Sequence, residues 1–201
     1  MNPTLSIKLL LTTGLFFFLG LEFLWSQPND LERFYWESKR TQEVGMAVLG
    51  GWALANMSLG AYAWSQENGV PKYFGQMNFF WNTVNLSIAG FALWNQSQGI
   101  FEESSVLSEH RKTENILLIN AAVLDVAYIA SGIYLLHRSK KPGAKKSDML
   151  QGYGRSLILQ GGFLMIFDFV LYGILRSQSM SWSESLSMQF GGTSASLVYF
   201  F

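Results

Sequence analysis

The segment Glu-Ser-Lys-Arg-Thr-Gln at 37–42 recurs as Glu-His-Arg-Lys-Thr-Glu at 109–114, 72 positions later, and each copy leads directly into a long apolar run. The register holds without a gap, because Ala55, Gly60 and Tyr62 fall opposite Ala127, Gly132 and Tyr134. Four stretches meet the criterion of roughly 18 or more predominantly apolar residues for a spanning helix: Val44 to Trp64, Met77 to Trp94, Ile116 to Leu136 and Leu157 to Leu175. In hydrocarbon each backbone amide must find its partner within its own segment, which makes these runs helices. Only 14% of residues are charged, against about 25% in an average soluble domain. The expected fold is therefore all-α: a polytopic integral membrane protein with a four-helix core built from two parallel-repeat hairpins.

The expected organisation is an N-terminal segment at 1–26, a duplicated membrane domain at 27–175 with repeats at about 30–96 and 102–176, and a tail at 177–201. Lys8 followed by Leu9 to Leu21 has the charge and length of a signal peptide. No small-x-small cleavage site follows at 21–25, so an uncleaved fifth helix ending near Trp25 is the preferred reading. Both readings leave residue 30 on the same side. Arg138, Lys140, Lys141, Lys145, Lys146 and Arg155 crowd the connection at 138–155, which makes that loop cytoplasmic and the C-terminus outside. Both hairpins then run in the same direction, related by an axis along the membrane normal. Asn68-Gly69 and Pro71 separate the first two helices. Asn29 or Asp30, and Ser104 or Ser105, can start helical arms that carry the repeated charged segments beyond the bilayer. A solvated helix start is preferred for these arms over a docking surface. In the tail, Leu186, Met188 and Phe190 alternate with polar residues before Gly191-Gly192, which reads as a small β-hairpin.

The residues that stand out chemically are polar side chains inside apolar runs. Asp125 lies at the middle of its span, where a carboxylate costs at least about 2.5–3.5 kcal/mol unless it is paired, hydrated or protonated. Asp168 is about two-thirds of the way along the last span, and neither acid has an Arg or Lys at comparable depth. Asn78, Asn82 and Asn85 share one face of their helix, Gln160 projects from the same helix as Asp168, and Asn56 and Asn120 add an amide to each remaining span. This polar interior is compatible with an ion or proton path, a pocket for a polar headgroup, or hydrogen-bonded glue between helices.

Other chemistry finds little support. The chain has no cysteine, which removes thiolate metal sites, disulfides and thiol nucleophiles together. A net charge of zero argues against nucleic acid as a partner. His110 and His137 are far apart on one helix and read as surface residues. No zinc-protease, serine-elbow or phosphate-loop motif occurs, and no cofactor is expected. At Met-Asn-Phe-Phe-Trp-Asn-Thr-Val-Asn, 77–85, and Leu-Gln-Gly-Gly-Phe-Leu-Met-Ile-Phe-Asp, 159–168, the chain resembles an uncharacterised family of small bacterial integral membrane proteins, a likeness that covers 30–175. The resemblance implies a bacterial membrane protein and carries over no functional residues; with the spans above, the expected location is the bacterial inner membrane, crossed several times. The leading expectation is a non-enzymatic module that binds a lipid, a small polar ligand, a membrane protein partner or a second copy of itself. The alternative is a small proton- or cation-coupled transporter using Asp125 and Asp168.

Overall fold

The computed structural model describes residues 30–186, 190–191 and 194–195, so the expectation for 1–26 lies outside the described residues. It is all-α apart from one short ladder. Helix α1 spans Asp30–Gln66 and α2 spans Gly69–Gln98. Helix α3, Val106–Ile119, passes through a π-helical turn at Asn120–Leu124 into α4, Asp125–Ser139. Helix α5 covers Ser147–Leu186. Strands β1 (Phe190–Gly191) and β2 (Ser194–Ala195) pair antiparallel, with Phe190 opposite Ala195.

Three of these units, α1, the continuous α3–α4 rod and α5, are long and apolar enough to cross a membrane. The expected span Met77–Trp94 lies wholly inside α2, but that helix does not reach the same hydropathy. Asn78, Asn82 and Asn85 lower it, and all three are buried. At 1.5 Å per residue, the 37 residues of α1 extend about 55 Å, well past a hydrocarbon core of about 30 Å.

Burial is inverted relative to a water-soluble bundle. The buried stripe of α1 is Phe34, Ser38, Gly45, Leu49, Ala53, Asn56 and Gly60, recurring every three, four or seven residues on one face. Large apolar side chains such as Leu59, Val84, Phe91, Ile133, Ile166 and Val170 point outward instead. With small residues inside, backbones approach closely. A Cβ on Gly60 would lie 2.7 Å from the Gly75 carbonyl oxygen, and one on Gly132 would lie 2.6 Å from that of Gly154. Two such crossings fasten α1 to α2 and α4 to α5. Helix α2 also packs on α5, where a Cβ on Gly152 would strike Tyr73 and Phe74.

Several boundaries differ from the sequence reading. The first connection is only residues 67–68: Gly69 turns the chain at φ +60°, and Pro71 fits the first turn of α2, where its missing N–H has no intrahelical partner. The last helix does not stop near Leu175 but runs to Leu186, because no Gly or Pro interrupts 176–186. Leu186 is therefore helical, and the hairpin begins later, at Phe190. Gly161-Gly162 does not break α5; a Cβ on Gly161 would lie 3.0 Å from the Asp125 carbonyl oxygen, so Gly161 serves close packing, while Gly162 faces open space. On α1, Gly51 faces open space, while Asn56 and Gly60 are buried in the α1–α2 contact.

Candidate functional site

The eight polar residues picked out by sequence divide into two groups. Asn78 is the hub of the first: its amide donates to Asn56 Oδ1 at 2.9 Å, and its Oδ1 accepts from Gln160 and, at 3.3 Å, from Ser156. Asn56 donates to the Trp52 carbonyl at 2.9 Å, and Trp52 Nε1 donates to Gln160 Oε1 at 3.0 Å. The Trp52 ring stacks on Phe163 with centroids 3.9 Å apart. Asn82 donates to the Asn78 carbonyl, and Asn85 donates to Asn82 Oδ1. The network joins α1, α2 and α5 and satisfies its own members, which is how polar side chains act as interhelical glue.

The second group lines a cavity. Asn120, Asp125 and Asp168, with Asn85 and Trp81, border a space of about 380 Å³ among α1, α2, α3–α4 and α5. It lies where, among the described residues, the backbone of α2 does not come close to those of α3 and α4, and long side chains span the gap. Asp125 is 2% exposed and its Oδ2 has no hydrogen-bond partner among the described residues. Asp168 is also buried, with the Asn120 side chain beside it. Trp81 Nε1 is a second buried atom without a partner, and its ring meets Tyr128 edge-on at 4.6 Å. The π-turn ends directly before Asp125, with the Asp125 N–H bonded to the Asn120 carbonyl. Such wide turns are often found at functional sites.

A second cleft, about 640 Å³, lies between α1 and α5 and is almost wholly apolar. Thr41, Val44, Gly45 and Val48 line it; the polar cavity is lined by Thr113, Ile116, Leu117 and Asn120, each 72 positions later. The opposite walls correspond too: Phe163, Phe167 and Leu171 in the apolar cleft stand 79 positions after Val84, Ile88 and Ala92 in the polar one. Gly75 and Gly154, which receive Gly60 and Gly132, have that same offset of 79.

A further cluster escaped the sequence reading. His110, expected at the surface, is 4% exposed. Its Nδ1 lies 2.8 Å from Ser38 Oγ, and its Nε2 lies 3.1 Å from the Leu175 carbonyl and 3.2 Å from Glu114 Oε1. A carbonyl can only accept, so Nε2 carries a hydrogen, and Nδ1 faces the Ser38 hydroxyl. Gln42 donates to Ser38 at 3.2 Å, while Ser179 and Arg176 hold Glu114. The extension of α5 past Leu175 supplies this third wall and explains the correction. Nearby, burial and the charges of Glu109 and Glu43 push the Tyr35 phenol up, keeping it a neutral donor. The one available signal was that Ser38 and His110 hold the same place in the two hexapeptides. His137 is exposed, as expected.

The chain matches a family described as a family of unknown function (DUF6992) over residues 48–169. No curated protein and no solved structure matches it.

Proposed function

The chain belongs to the DUF6992 family of unknown function, and from that premise we propose that it is a multi-pass membrane protein whose polar cavity binds a small ligand. The membrane reading draws on the apolar exterior and the three span-length helices, with α2 admitted as a fourth span because its asparagines are turned inward. The basic loop at 138–155 is the cytoplasmic side, the C-terminus lies outside, and the bacterial inner membrane is the location. The internal duplication draws support from the Ser38–His110 contact, from the matching glycine crossings and from the two corresponding clefts.

One observation carries the binding reading: Asp125 Oδ2 is buried, unpartnered and on the wall of a 380 Å³ cavity. A scaffold role accounts for the Asn78 network, whose bonds are made, but leaves Asp125 unexplained, since an unsatisfied buried carboxylate is costly. Native mass spectrometry of protein released from membrane-derived lipid particles tests the proposal. A specific non-protein mass is expected on wild type and absent from Asp125→Asn; its equal retention on the variant, or its absence from wild type, overturns the assignment.

A second reading, proton- or cation-coupled transport, is favoured by one further observation: two carboxylates share a cavity that, among the described residues, no Lys or Arg lines. Proton or cation flux into proteoliposomes, lost in Asp125→Asn and Asp168→Asn, is its expected result. Undiminished flux in both variants rejects it.

A further inference from the structure

We propose that the occupant of the polar cavity is a protonated primary or secondary amine bearing a nearby oxygen acceptor and an apolar body, an amphiphilic amino alcohol in chemical class. The inference rests on the reading of this cavity as a ligand site and specifies what fits it.

Charge comes first. Asp125 and Asp168 line the cavity and, among the described residues, no Lys, Arg or His does, so a positively charged occupant is the complementary one. Hydrogen bonding then narrows the cation. Asp168 has the Asn120 side chain beside it, whereas Asp125 Oδ2 is an open acceptor among the described residues. A carboxylate oxygen accepts from an N–H or O–H donor, and among ammonium groups a primary or secondary one supplies it while a quaternary one lacks it. Trp81 Nε1, on the same wall, is an open donor, and an indole N–H can only donate. The occupant must therefore offer both a cationic donor and an oxygen acceptor.

The remaining surface describes the rest of the molecule. The Trp81 and Tyr128 rings meet edge-on at 79°, and both border the cavity; aromatic faces attract ammonium groups. Val84, Ile88, Leu117, Leu164 and Phe167 complete apolar walls that suit a hydrocarbon body. The volume, about 380 Å³, falls in the range of about 300–1,000 Å³ for small-molecule sites. A multivalent metal ion fits less well, since no group of three or more His, Cys, Asp or Glu side chains able to hold one occurs among the described residues.

The corresponding apolar cleft provides an internal contrast. The counterparts of Asp125 and Asp168 are Ala53, 72 positions earlier, and Ala89, 79 positions earlier, and both alanines are fully enclosed. Val48 stands where the polar cavity has Asn120. At these three pairs of corresponding positions the acids and the amide stand on one side only, opposite two enclosed alanines and a valine.

Isothermal titration calorimetry on the full chain in nanodiscs tests the assignment, with 2-(hexylamino)ethanol, hexyltrimethylammonium, 1-hexanol and sodium chloride as probes and empty nanodiscs as the blank. The amino alcohol is expected to bind saturably at one site, with the quaternary probe at least about tenfold weaker and the alcohol weaker still. Asp125→Asn should lose at least about tenfold, and Trp81→Phe about fivefold. Unchanged elution and helicity check the fold of each variant, while the probe series on wild type needs no variant. Equal affinity for the quaternary probe, equal binding by Asp125→Asn, or a response to sodium alone overturns the amine assignment. If the amine fails while native mass spectrometry still finds an Asp125-dependent mass, the ligand-site reading survives without it; if both fail, both readings fall.

Discussion

His110 offers the most direct test of how the outer ends of the helices are held together. Its ring touches α1 through Ser38, α5 through the Leu175 carbonyl, and Glu114 on its own helix, with Phe34 packed at 4.7 Å. Substitution by alanine removes all four contacts. Ser38 keeps its bond from Gln42, and Glu114 keeps Ser179 and Arg176, so neither becomes an orphan. The loss is therefore about two net hydrogen bonds of roughly 0.5–1.5 kcal/mol each, the one from Nε2 shared between two acceptors, plus ring packing, or about 2–4 kcal/mol altogether. Ser38→Ala removes only one bond to the ring and should cost about 0.5–1.5 kcal/mol. The double variant should fall short of additivity by about 0.5–1.5 kcal/mol, since the two side chains touch. Steric-trap unfolding in bicelles measures each value, and hydrogen exchange should quicken at 30–43, 106–114 and 175–180. A His110→Ala protein within about 0.5 kcal/mol of wild type would show that the buried ring does not tie the helices.

Three further expectations are open to measurement. Gly132→Ala should lower the unfolding free energy by about 1–3 kcal/mol, because its Cβ meets backbone; Gly51→Ala faces open space and should be neutral or stabilising by up to about 1 kcal/mol. Asn78→Ala should cost about 1–2 kcal/mol and leave Gln160 and Ser156 without their shared acceptor, detectable as faster exchange along α5. Because the sequence lacks cysteine, a lone Glu103→Cys should react with an impermeant maleimide on cells whose outer membrane has been permeabilised, while Lys141→Cys should react only after the inner membrane is opened. The reverse pattern would invert the proposed orientation.

The parts of this architecture that announce themselves in sequence are those encoded locally. Asp125, Asp168 and the three asparagines of α2 were visible because a polar residue within an apolar run has few inexpensive explanations. The hexapeptide repeat was visible because its polar beginning and apolar continuation preserve register. Three features were hidden for a shared reason, that they depend on what stands opposite. Arg176 to Leu186 contains enough Ser and Glu to read as a tail, yet α5 continues there and encloses His110. The π-turn at Asn120–Leu124 carries no Gly or Pro to mark it. The division between a satisfied amide network and an unsatisfied carboxylate is set by the gap between α2 and α3–α4, which no single helix encodes.

The meeting of Ser38 with His110 has an evolutionary corollary. In a two-fold dimer of identical hairpins, a residue near the axis faces its own copy, so the available pairs are serine with serine or histidine with histidine. A chain of unlike hydrogen-bonding partners, from Gln42 through Ser38 and His110 to Glu114, requires the two halves to differ. Under the duplication proposed above, covalent fusion of the halves is what made such a heterologous contact accessible. Either half expressed alone, pairing with itself, would have to build its axis from a different interaction.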